Sequence, residues 1–257
     1  MLLAHGLTAH RDLVIHGSGA LARAGHDVIR YDARAHGQSE GGPPGSRTYE
    51  RLGDDLEAVL AETAAGGVPL PVLAGHSMGA HTLITVALRD PNRLAGLVII
   101  GPATVGGPPP DREMAGWDAL ADGLDRDGID GFIVAYSRGL NPAWSDTLIR
   151  IARDRLDRHR DLNALAGALR EVPRSIPFDG LGELERLDVP ALVVASGDDA
   201  DPSHPYAVAE AFAESLPRAR LTSEAPGQSP LAWQGGRLAR EIAAFCAEDV
   251  VRERVGR

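Results

Sequence analysis

The stretch Gly75-His76-Ser77-Met78-Gly79 constrains this chain more than any other. An apolar run over 70–74 precedes it and reads as a buried strand, and the run over 78–88 has the texture of a helix. A strand that turns this sharply into a helix leaves no room for a Cβ at either flank, which is why 75 and 79 are glycines. Ser77 at the apex is then held at a strained backbone angle, with its Oγ exposed at the carboxyl end of a strand. The free N–H groups of the first helical turn face a charge developing there. Gly-x-Ser-x-Gly occurs by chance in many chains; a strand before it and a helix after it give it meaning.

Strand and helix alternate along the rest of the chain. Residues 1–4, 27–31, 94–100, 189–196 and 219–222 read as further strands, and the all-apolar run at 94–100 is of the kind buried on both faces of a parallel sheet. Helices are expected over 9–24, over about 48–63 with Thr48 as N-cap and Leu52, Leu56, Val59 and Leu60 inward, over 205–216 and over 236–250. Residues 101–110 are rich in Gly and Pro and leave the sheet; from Asp111 to about Leu187 helical patterns dominate. The pattern predicts an α/β protein: a mostly parallel, doubly wound sheet formed by 1–104 and 188–257, with a helical insertion over 105–187. Ligands of such sheets bind at the carboxyl ends of the strands, where these motifs fall.

The 257 residues suit one large α/β domain, and 26 basic against 36 acidic residues give a net charge of -10. That balance disfavours nucleic acid and anionic membrane as partners and leaves a small-molecule substrate as the expected one. The lone Cys246 excludes an internal disulfide and a cysteine-based metal cluster, and fits a reducing compartment. The short apolar start lacks the basic leader of a signal peptide and no stretch approaches a membrane span, so a cytoplasmic protein is expected. A homodimer is one option for the oligomeric state, which the sequence leaves open.

Four motifs together resemble the α/β-hydrolase family: His5-Gly6; Asp32-x-Arg34-x-His36-Gly37-x-Ser39; the Gly75-to-Gly79 turn; and Asp201-Pro-Ser-His-Pro205 after a late strand. Their order and spacing cover nearly the whole chain. The resemblance implies that the 105–187 insertion is a cap, or lid, over the active site. The family's usual N-terminal β-hairpin before the His-Gly strand is expected to be missing here.

The resemblance also implies roles. Ser77 would be the nucleophile, and the backbone N–H groups of Met78 and Leu7 the oxyanion hole. The orienting acid lies among Asp198, Asp199 and Asp201; the family's Asp four residues before Pro selects Asp201, with Asp199 next. The base is missing from its usual place, where Gln228 stands, and an amide cannot take a proton at neutral pH. His204, three residues after Asp201, is the leading substitute, and His81, one helical turn after Ser77, a second. Otherwise the chain works without a serine triad, or position 228 has been altered.

Other features read more plainly. Asp199, Asp201 and His204 could hold a cation, but a solvated acidic loop is preferred, and neither metal nor cofactor is expected. Gly17-Ser18-Gly19 follows no strand and is no dinucleotide fingerprint. His5 and His36 are expected to satisfy backbone groups, and His76 to point away from the nucleophile. His10, His16, His26 and His159 show no partner. Five arginines alternate with aspartates over 149–161, which reads as a salt-bridged solvent face, an anion clamp being the sharper option. Trp117, Phe132, Tyr136, Trp144 and Phe178 are candidates to line the pocket from the insertion, and Trp233 and Gln234 to shape its floor. The expected function is hydrolysis of a small carboxylic ester or related acyl compound through Ser77 with an irregular base. The alternatives are a non-hydrolytic small-molecule binder, or a lyase or isomerase on the same fold.

Overall fold

A computed structural model describes residues 1–16, 19–63, 69–198 and 201–256. Gly17, Ser18 and Asp199 lie outside them. In chain order the elements are β1 (Leu2–Ala4), α1 (Ala20–Arg23), β2 (Ile29–Arg30), α2 (Tyr49–Thr63), β3 (Val72–His76), α3 (Met78–Arg89), β4 (Gly96–Ile100), α4 (Asp111–Ser137), α5 (Ser145–Leu156), α6 (Leu162–Glu171), β5 (Ala191–Val194), α7 (Tyr206–Ser215), β6 (Ala219–Thr222), α8 (Gly235–Cys246) and α9 (Asp249–Val255). The strands form one sheet in the order β2-β1-β3-β4-β5-β6, and every pairing is parallel.

The two-residue period of the strands explains the two cores. Leu73, Leu97, Ile99, Ala191 and Val193 point to one face, where helices α2, α3 and α7 cover them. Val72, Ala74, Val98, Ile100, Leu192 and Val194 point to the other, against α8 and α9. Strands β1, β4 and β5 are therefore apolar throughout, as a sheet covered on both sides requires, whereas the edge strands β2 and β6 carry Arg30 and Arg220. Helices α4 to α6 build a separate core from Leu124, Phe132, Leu156, Leu165 and Leu169. Helix α4 is broken at Asp127 (φ -130°) and Gly128 (φ 61°), so its two arms fold back on each other.

Two sequence expectations fail here. The helix expected over 9–24 is reduced to Ala20–Arg23, with turns over 11–16. The Arg11 N–H donates instead to the Asp32 carboxylate at 2.7 Å, a long-range capture that no local periodicity registers. The closing helix is split between α8 and α9, where Glu248 is extended and its carboxylate accepts from Arg220 Nε at 2.9 Å. Among the described residues no helix is long and apolar enough to cross a membrane.

Candidate active site

The turn at Ser77 is built as its glycines demand. Ser77 has φ 52°, and its N–H donates to the Ile100 carbonyl at 3.0 Å, pinning the turn to β4. A Cβ on Gly79 would run into the Ala4 carbonyl of β1, and one on Gly75 into the Gly79 backbone. Helix α3 starts at the next residue, so the Met78 N–H lies among the orphan donors of its first turn. The His5-Gly6-Leu7 turn passes close by: a Cβ on Gly6 would lie 3.4 Å from Ser77 Cβ. Leu7 packs on α4–α6 core residues, and Met78 joins Ala164, Ala168 and Val172 in one apolar cluster. The helical insertion thus sits over both candidate oxyanion-hole residues.

Asp201 and His204 occupy the loop after β5. Asp201 Oδ2 and His204 Nδ1 are 2.6 Å apart, with side chains only 17% and 14% exposed. The imidazole lies against Gly101 at the end of β4, where a Cβ would be 3.4 Å from its Cγ, and 5.1 Å between centroids from the His76 ring. Burial alone would raise the Asp201 carboxyl; the His204 hydrogen bond and the charges of His204 and His76 outweigh it and leave it below the usual range. With Nδ1 engaged, Nε2 is the nitrogen left for chemistry. The Asp198 carbonyl accepts the Asp201 N–H at 3.0 Å, and Asp199 is outside the described residues. No metal-binding group of histidine, cysteine and carboxylates forms among the described residues.

The other candidates separate from this group. Gln228 is exposed and its Oε1 accepts from Arg237. His81 is buried among Tyr49, Phe178 and Phe212, its Nε2 accepts the Ala103 N–H at 3.1 Å, and burial lowers it to about 3, so it is no general base for Ser77. His76 borders a cavity of about 710 Å³ that Ser77 does not line, and burial together with His204 lowers it to about 3, keeping it neutral. His5 satisfies the Gly6 carbonyl and the Ala33 N–H, each at 2.9 Å. His36 Nδ1 faces the Arg34 carbonyl at 2.9 Å.

Sequence reasoning missed His159. It is buried, accepts the Gly37 N–H on Nδ1 at 2.8 Å and donates from Nε2 to the Thr8 carbonyl at 2.9 Å, tying the insertion to two core turns. Nothing in its charged neighbourhood, Arg158 and Arg160, signals this. His16 was missed too; its ring stacks on Trp233 at 5.9 Å. Of the aromatics expected in the pocket, Phe132 and Phe178 belong to cores and Trp144 is 54% exposed, whereas Trp233 does line the cavity.

Comparison with known proteins identifies the relatives of this chain. Residues 1–124 match the family model described as serine aminopeptidase, S33. A protein of Agrobacterium fabrum named "Putative carbamate hydrolase RutD" is 29% identical over 196 residues, 76% of this chain and 72% of that protein. The protein of the same name from Variovorax paradoxus is 30% identical over 190 residues, 71% of this chain and 67% of its own. The chain belongs to the α/β-hydrolase family. The fold agrees across its length: a Thermogutta terrifontis esterase superposes with TM-score 0.75 at 22% identity, covering 99% of this chain and 89% of that one. An enol-lactonase from Burkholderia xenovorans gives 0.71 at 21%, covering 96% and 90%. As a member, this chain is an α/β-fold hydrolase.

Proposed function

We propose that this α/β-hydrolase cleaves a small carboxylic ester or a related acyl compound, such as a carbamate, through an acyl-enzyme on Ser77. The observation that carries the reading is the 2.6 Å contact between Asp201 and His204 beside the end of β4, next to the strand that delivers Ser77. In this reading His204 replaces the base missing at position 228. Its Nε2 takes the Ser77 proton as Oγ attacks the carbonyl carbon. Asp201 fixes the tautomer and stabilises the imidazolium. The Met78 and Leu7 N–H groups receive the oxyanion. His204 then protonates the leaving group and activates the water that releases the acid. Residues 105–187 serve as a cap that excludes bulk water, and residues 1–104 and 188–257 as the catalytic core. The carbamate option comes from the relatives' name.

Labelling with a fluorophosphonate tests this. The chain as it stands is expected to label, Ser77→Ala to be silent, and His204→Ala and Asp201→Asn to label far more slowly. Removal of a triad base costs roughly 10⁴- to 10⁶-fold in rate. Labelling that appears only in Gln228→His would mean that His204 is no base, and labelling by neither chain that the serine is not activated; either result sinks the reading.

A further inference from the structure

Helix α5 turns one arginine inward. Arg153 on the same helix pairs with Asp130 at 2.6 Å on the surface, as the alternating charges predicted. Arg155 does not follow it. It lines a cavity of about 710 Å³ with Ile151, His16, Trp233 and His76. Its Nε is sealed from solvent and has no hydrogen-bond partner, and no carboxylate of the described residues lies within ion-pair distance. Tyr136 and Asp201 act on it from further off, with Asp201 Oδ2 held by His204. The other charges around the cavity are matched or open to water. Arg11 meets Asp32 at 3.2 Å, Asp12 meets Arg30 at 2.7 Å, and Asp154 and Arg158 are exposed and opposite in sign. Among the described residues, Arg155 is therefore the cavity charge with neither a close counter-ion nor full access to water. A guanidinium whose Nε is buried without a hydrogen-bond partner costs stability until an anion completes it.

We infer that Arg155 is the receptor for a carboxylate carried by the substrate, so that the cavity takes a monoanionic acyl compound with an apolar body. One guanidinium matches one negative charge, and Asp12, Asp32 and Asp154 around the same space disfavour a dianionic phosphate. Trp233, Ile151 and Leu13 supply the apolar wall. His76 borders the cavity and adjoins Ser77, so a substrate anchored at Arg155 extends toward the turn. The inference rests on the proposed hydrolysis only for the bond that is cut; the anion contact is read by binding alone.

The test uses the Ser77→Ala chain, in which nothing is turned over, and calorimetric titration with benzyl hydrogen succinate and with its neutral analogue benzyl methyl succinate. The monoanion is expected to bind about 10- to 100-fold more tightly, the range of a charge-assisted contact. Adding Arg155→Met should bring the ratio near one, Arg155→Lys should keep part of it, and the melting temperature of Arg155→Met should hold or rise, since an unpaired buried charge has gone. Equal affinities, a preference that survives Arg155→Met, no binding of either compound, or a clear fall in the melting temperature would each overturn the inference. Failure here leaves fluorophosphonate labelling at Ser77 untouched, so the two readings fail separately.

Discussion

His159→Leu is the perturbation whose size follows most directly from the structure. The imidazole joins chain segments 122 and 151 residues away, accepting from Gly37 N–H and donating to the Thr8 carbonyl. Leucine fills much of the volume but can do neither, and both backbone groups stay buried. A buried polar group left unpaired costs about 1–3 kcal/mol, so the two together should cost roughly 2–6 kcal/mol. Thr8 adds a functional consequence. It sits at φ 65°, a backbone state that costs a non-glycine residue about 1–3 kcal/mol unless its surroundings impose it. Once His159 no longer holds its carbonyl, the turn that carries Leu7 is free to relax. His159→Gln has a donor and an acceptor and should recover part of the loss. Urea unfolding of the three chains, with fluorophosphonate labelling rates on the same samples, measures both effects. A loss below about 0.5 kcal/mol, the scale of an ordinary surface substitution, would refute the reasoning.

Acid should destabilise the fold in a definite window. His5, His76 and His81 have an ordinary value of 6.5, lowered by burial to about 4, 3 and 3. The unfolded chain therefore binds more protons between pH 6.5 and those values, and stability that is full above pH 6.5 falls as the pH drops, by up to about 1.4 kcal/mol per unit for each histidine. Urea stabilities measured at pH 7, 6 and 5 should decline, and a flat profile would contradict the neutral state assigned to these rings. Gly79→Ala should lower the melting temperature or abolish soluble protein. The new Cβ meets the fixed Ala4 carbonyl of β1, and overpacking of about 1–3 kcal/mol or more outweighs the helix-propensity gain of about 1 kcal/mol. An unchanged melting temperature would show that β1 and α3 can separate at no cost.

The sequence alone determined the architecture and the turn. Apolar runs such as 94–100 are legible as buried parallel strands because both faces of each strand must be covered. Gly75 and Gly79 announce the turn because only glycine fits there. Asp201 and His204 were within reach of sequence reasoning because they are three residues apart in one loop. Everything that depends on distant segments was hidden. Asp32 takes the Arg11 N–H and cuts short a helix that periodicity favoured. His159 looks like a surface residue until Gly37 and Thr8 arrive from the core. Arg155 shares the charge pattern of Arg153 and differs only in the direction α5 turns it once Leu156 and Ala152 are buried. Side-chain periodicity reports what each element must bury; which partner reaches a buried polar group is decided only when the elements pack, and only tertiary structure records it.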